Sequence, residues 1–388
     1  MKNVSDSIMA GIYIHVPFCH SKCAYCDFYS MPLKGREEKY VGYTDALLNE
    51  WEHRRGELDQ PVRTIYFGGG TPSSLPLTQL DRIVSVLPVG RGGETMDEAA
   101  DIEMTMEVTM EVNPEDVTGE FCEWLRRSPV NRVSMGVQSL DDRELSVIGR
   151  RHTALEAVEA YKRLRDAGIE NISLDLIYGL PKQSLESWRE SLISLLDMRP
   201  EHLSAYLLSY EEGTRLTAMR SAGKVAEATQ ELAEEMYATL CSLTRARGYE
   251  HYEISNFALP GRRSRHNSSY WRGISYLGLG PSAHSLTMCD RSYNPSSLRD
   301  YIAANGVVNV VEHESETEKI NDLILTALRT KEGLRLSDFT PARRERLMRA
   351  ASPWVSSRTL RLEDGYLRMD EAHWLISDRV IVDLIEVD

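Results

Sequence analysis

The chain has 388 residues, 42% of them hydrophobic and 27% charged, with 59 acidic against 45 basic side chains and a formal net charge of −14. That length suits one large domain plus a smaller one, and the acidic balance argues against a nucleic-acid backbone as partner. No apolar run reaches the ~18 residues of a membrane span and the opening MKNVSDSIMA lacks the apolar core of a secretory signal, so a cytoplasmic protein that is not integral to a membrane is expected.

Short β-rich runs at 11–15, 62–67, 102–112, 131–136, 171–177 and 202–208 alternate with helix-like stretches at 36–55, 77–87, 118–127, 153–167, 184–196 and 227–247. Such alternation implies βαβ units and a parallel sheet. The predicted class is α/β, a partial (β/α)6 barrel with its site at the carboxyl ends of the strands. FGGGTP, the acid motif around Glu111, GVQS and the Asp175 segment all fall at such ends. Residues 91–100, RGGETMDEAA, read as a surface loop. TMEV occurs twice, at 105–108 and 109–112, which puts Glu107 and Glu111 on the same face of one strand. Local pattern alone does not choose between them. Residues 1–240 are expected to form the barrel and 241–300 a capping segment. The remainder, 301–388, predicts a small, mostly helical, winged-helix-like domain, with a hairpin turning at Asp364 and Gly365. A lid or packing role is expected for it.

Three of the six cysteines lie within eight residues, as Cys19-His-Ser-Lys-Cys23-Ala-Tyr-Cys26. A disulfide framework would be spread more evenly, so this is read as a metal site. Thiolates on a tight loop suit an iron–sulfur cluster. Zinc, with His15 or His20 as a fourth ligand, is the competing reading. Cys122, Cys241 and Cys289 are expected to be ordinary thiols.

With Tyr25 just before the third cysteine, the loop resembles the signature of the radical S-adenosylmethionine (SAM) superfamily. The resemblance implies a [4Fe–4S] cluster on Cys19, Cys23 and Cys26, with one iron left for SAM. An electron supplied by a donor protein would then cleave SAM to a 5′-deoxyadenosyl radical, chemistry that the protein positions and shields. It further implies that Gly69, Gly70 and Thr71 take the SAM amino group. Glu111 is picked over Glu107 by the following Asn-Pro. Gln138, Arg150 and Asp175 would contact SAM, with Arg151 a competitor for the role of Arg150, and Tyr13 would lie beside the cluster. His284, in GPSAHS, is read as part of the SAM pocket.

IHVPFC, YFGGGTP, NRVSMGVQS, DLIYGLP and GLGPSAHS together resemble the oxygen-independent coproporphyrinogen oxidase-like group. True oxidases of that group carry a further cysteine two residues after the third. Here Phe28 occupies the position, which favours the HemW-like haem chaperones. His266-Asn267-Ser268-Ser269-Tyr270-Trp271 resembles their HNxxYW motif, implying haem bound through His266 with Tyr270 and Trp271 beside it. Arg262, Arg263 and Arg265 are candidates for the propionates, or else a solvated basic loop. The resemblance thus implies three cofactors, the cluster, SAM and haem, and a haem-accepting partner, possibly respiratory. Oxidative decarboxylation of coproporphyrinogen III is the alternative function. YEISNF, residues 252–257, also resembles the chaperone group, without a derivable role.

Overall fold

The computed structural model describes residues 10–32, 38–58, 60–89, 105–287 and 290–386. The predicted loop at 91–100, the beginnings of the strand expected from 102 and the helix expected from 36, and Cys289 lie outside these residues.

All six predicted strands form: β1 (Ala10–Val16), β2 (Val62–Gly69), β3 (Glu107–Val112), β4 (Arg132–Gln138), β5 (Asn171–Tyr178) and β6 (His202–Leu207). They pair in parallel and in sequence order. The chain then extends both edges of this sheet. The hairpin β7 (Glu250–Glu253) and β8 (Asn256–Ala258) adds to β6, while β9 (Tyr276–Leu279) pairs in parallel with β1. Strands β10 (His284–Leu286), β11 (Arg291–Tyr293) and β12 (Val310–Glu312) continue antiparallel beyond β9. Among the described residues the parallel core therefore has seven strands where six were expected, within a sheet of twelve. The seventh, Tyr-Leu-Gly-Leu, is too short to be distinguished from a loop motif by its pattern.

The strands alternate. Val133, Met135 and Val137 of β4 and Ile172, Leu174 and Leu176 of β5 are buried outward, against helices such as Ala154–Asp166 and Leu185–Asp197. Those two helices begin at capping boxes, Thr153 with Glu156 and Ser184 with Ser187, which satisfy the free N–H groups of the first turn. The opposite face, carrying Arg132, Ser134, Ser173 and Asp175, points into the barrel and is polar.

A short helix, Arg265–Trp271, closes the barrel at the amino ends of the strands. The Glu107 carboxylate accepts hydrogen bonds from the N–H groups of Arg265 and His266 at the start of this helix. The duplicated TMEV is thereby resolved: both glutamates point inward, Glu107 to the closing helix and Glu111 to the open end. YEISNF forms the β7–β8 hairpin, in which the Tyr252 hydroxyl meets His202 Nε2 at 2.7 Å and receives the N–H of Ser264.

The C-terminal segment begins with the helix Glu316–Ala327. A three-stranded sheet follows, in the order Leu334–Arg335, Tyr366–Met369, Leu360–Glu363, with the helix Pro341–Ser356 between its first two strands in sequence. The hairpin turns at Asp364 and Gly365, both with positive φ, as the Asp-Gly pair predicts. This is the expected small, helical, winged-helix-like part.

One buried carboxylate ties the barrel to its extension. Glu50 accepts hydrogen bonds from Arg54, the Gly280 N–H, Asn294 and the Tyr301 hydroxyl. Among the described residues Glu50→Ala leaves Arg54 with only Glu57 as an acidic partner and is expected to cost about 3 kcal/mol or more. Urea unfolding followed by far-ultraviolet circular dichroism measures this. Glu50→Gln, which keeps the shape, should cost less.

Candidate functional site

At the carboxyl ends of the strands lies an open cavity of about 470 Å³. Its wall brings together Cys19, Cys23 and Cys26 with Gly69, Gly70, Thr71, Glu111, Gln138, Arg150 and Asp175. Ten of the fifteen residues singled out from sequence thus meet in one place.

The geometry begins at the end of β2. Gly70 donates its N–H to the Val16 carbonyl and Thr71 donates to that of Phe18, locking the glycine turn onto the start of the cysteine loop. A Cβ at Gly70 would stand 2.5 Å from the Phe18 oxygen, so no other residue fits. From there a relay of hydrogen bonds crosses three strand ends. The Thr71 hydroxyl donates to Cys19 Sγ (3.4 Å), Asn113 Nδ2 to Thr71 Oγ1 (3.0 Å), and Arg150 Nη2 to Asn113 Oδ1 (2.6 Å). Arg150 Nη1 then reaches Cys23 Sγ at 3.5 Å. Two of the three thiols are therefore positioned by one chain of polar contacts. Gln138 is held at a bulge with φ of 67°, a left-handed conformation uncommon outside glycine, at the end of β4 on the cavity wall.

Burial raises Cys19, and it pushes Cys26 up to about 11, so a metal must displace protons as it binds. Among the described residues no three His, Cys, Asp or Glu side chains gather round a single ion position. A cluster held at three separate irons asks for thiolates that share a wall instead of meeting at one point. Neither histidine of the zinc reading is free. His15 donates from Nε2 to the Tyr29 carbonyl (2.8 Å) and contacts the Tyr13 hydroxyl through Nδ1, while His20 is bonded to Asp116. The donor set fits an iron–sulfur cluster.

Deeper in the cavity, burial raises Glu111 to about 7, against the Tyr66 hydroxyl that donates to it at 2.8 Å. Asp175 is likewise raised by burial, partly offset by hydroxyls including those of Ser204, Ser134 and Ser173.

Five predicted residues lie off this wall. Tyr13 is stacked behind it on Tyr66. His284 is exposed on β10 and stacks on Tyr293. His266, Tyr270 and Trp271 belong to the closing helix. The His266 ring is 1% exposed, with Nδ1 bonded to the Thr64 hydroxyl and Nε2 to that of Tyr270, both at 2.8 Å. Burial lowers it to about 3, so the ring is neutral. Of the neighbouring arginines, Arg263 pairs with Glu250 and Glu332, and Arg262 is exposed.

Wall residues to which sequence reasoning gave no role include Tyr66, Arg132, Ser134 and Ser204, and Phe28 was used only as a missing cysteine. Phe28 is 64% exposed at the mouth, with Tyr206 and Leu207 each 44% exposed on the same wall. The signal for Arg132 and Ser134 was present, since Arg-Val-Ser-Met-Gly-Val-Gln alternates polar or small with apolar at period two.

A Radical SAM superfamily model matches residues 13–195. The chain is 33% identical over 329 residues to the heme chaperone HemW of Lactococcus lactis, covering 84% of this chain and 83% of that protein. The chain belongs to the HemW family. It is also 34% identical to HemW of Bacillus subtilis, covering 85% of this chain and 86% of that protein. Among solved structures it resembles coproporphyrinogen III oxidase (HemN) of Escherichia coli, a radical SAM enzyme. That match has a TM-score of 0.79 and 20% identity over 98% of this chain and 90% of that one, a likeness of fold. No described helix is long and apolar enough to cross a membrane.

Glu111 makes stability at the cavity sensitive to pH. Its folded pKa lies above the ordinary 4.5, so its contribution to stability is full below about 4.5 and is lost as pH rises through about 7. Glu111→Gln, which imitates the protonated form, should flatten this part of the decline. Thermal unfolding of both proteins from pH 4.5 to 8 measures it; parallel profiles would refute the assignment.

Proposed function

We propose that this chain is a haem chaperone that holds a [4Fe–4S] cluster and SAM, binds haem and passes it to an acceptor protein. The likeness to the heme chaperones over more than four-fifths of the chain carries this reading. Cys19, Cys23 and Cys26 would hold the cluster. Gly69, Gly70, Thr71, Glu111, Gln138, Arg150 and Asp175 would hold SAM. When bound, the cluster supplies one electron for cleavage of SAM to a carbon radical.

The relay through Thr71, Asn113 and Arg150 orients Cys19 and Cys23 before any cofactor arrives, and the Arg150 guanidinium beside Cys23 offers positive charge to a thiolate. Tyr13 acts indirectly, through His15 and the Tyr29 carbonyl that follows the cysteines. His284 is exposed on β10 and is not among the residues lining the cavity, so it is left out of the proposed SAM set.

His266 would ligate haem iron, with Tyr270 and Trp271 alongside. A neutral imidazole is the ligating form, and burial keeps it so. Both nitrogens are engaged in the closed arrangement, so ligation requires the Arg265–Trp271 helix to release Thr64 or Tyr270. Partners would be an electron donor and a haem-accepting protein, respiratory or otherwise, with the cytoplasm as the setting.

Anaerobically reconstituted protein should carry roughly four iron and four sulfide per chain and bind both SAM and haem. His266→Ala should weaken haem binding at least about tenfold, the scale of a lost strong contact, and leave SAM binding unchanged. Haem should also raise amide exchange across residues 265–271. Unaltered haem affinity in the variant would remove His266 from the site. Coproporphyrinogen should pass through the same preparation with its carboxylates intact; SAM-dependent decarboxylation would establish the oxidase instead.

A further inference from the structure

Arg132 projects from β4 into the barrel and lines the cavity, yet it is 1% exposed, and its Nε and Nη1 have no hydrogen-bond partner among the described residues. Its charge favours the ionised forms of Glu111 and Asp175 nearby, but buried N–H groups left without acceptors are costly. The acids sharing the barrel interior are committed elsewhere: Glu107 to the closing helix, Glu111 to Tyr66, and Asp175 to the hydroxyls of Ser134 and Ser173. The adjacent residue on β3, Thr109, is fully buried with an unpartnered hydroxyl of its own. Unspent donors thus sit side by side on neighbouring strands, with Arg132 lining the cavity and Thr109 buried beside it.

We propose that Arg132 is the seat of a carboxylate on a second ligand, one that enters the same cavity as SAM. A planar fork of N–H groups matches a carboxylate in two-point contact, and Thr109 adds a hydroxyl donor. Arg150, at the cysteine loop, already uses its fork on Asn113, Gly136 and Cys23 and is not the group in question. This rests on the haem reading for the tetrapyrrole as ligand, but not for the carboxylate itself, which a small free acid also carries.

The test uses the full chain with its cluster reconstituted anaerobically. Haem and haem dimethyl ester, which lacks the free carboxylates, are titrated into wild type, Arg132→Met and Arg132→Lys. Wild type should prefer haem by about tenfold or more. Arg132→Met should abolish that preference with SAM affinity unchanged, and Arg132→Lys should keep part of it. Ligand-free Arg132→Met should melt no lower than wild type, because it removes a buried guanidinium with two unbonded nitrogens; a structural arginine would lower the melting temperature. If wild type does not discriminate haem from its ester, a rise in melting temperature with sodium propionate that Arg132→Met lacks assigns the seat to a small acid. Equal ester preference in wild type and Arg132→Met together with no propionate effect overturns the proposal. Loss of haem binding in His266→Ala with those results would overturn only this inference and leave the haem reading standing.

Discussion

The inward face of the barrel is polar, and much of the molecule follows from that. A packed (β/α) barrel fills its interior with branched aliphatic side chains. Here Thr64, Glu111, Arg132, Ser134 and Asp175 occupy such positions, while the aliphatics of the same strands face the helices. Polar groups withdrawn from water need partners. Tyr66 serves Glu111, three serines serve Asp175, and Glu107 serves the N–H groups of a helix that stops one end. Dense packing is excluded, so the other end stays open as a cavity.

The cysteine loop is irregular, and an irregular loop is a poor platform unless neighbours fix it. The relay from Cys19 through Thr71, Asn113 and Arg150 to Cys23 draws on β2, β3 and the segment after β4. Ala24 adds two backbone bonds, donating to Ile148 and accepting from Leu216. The loop is thus held from several sides by groups far away in sequence. Closely spaced cysteines bring thiols near each other; the relay sets where they point.

Much of this was legible in the chain. Six strands, the polar motifs at their carboxyl ends and the cysteine spacing are local patterns, and a parallel sheet gathers strand ends whatever the details. What was not legible depends on pairing across distance. The four residues of β9 join the sheet only because β1 offers a free edge. Arg132 is unremarkable as sequence, since only the committed state of its neighbours makes its empty donors significant. The HNSSYW motif names a histidine whose chemistry suits iron, but periodicity does not say that both ring nitrogens are occupied.

That last point bears on how a haem carrier would work. Closure of the Arg265–Trp271 helix competes with iron for the same imidazole nitrogens. Each neutral hydrogen bond forgone contributes about 1 kcal/mol net, so freeing one His266 nitrogen from Thr64 or Tyr270 costs on the order of 1 kcal/mol before solvation of the freed groups. A ligand shifts such an equilibrium only by its differential affinity for the open form, and haem affinity would be lowered by the same cost. For an enzyme holding a permanent cofactor this would be a defect. For a protein that must surrender its cargo it lowers the barrier to release, because Thr64 and Tyr270 stand ready to reclaim His266 as haem departs.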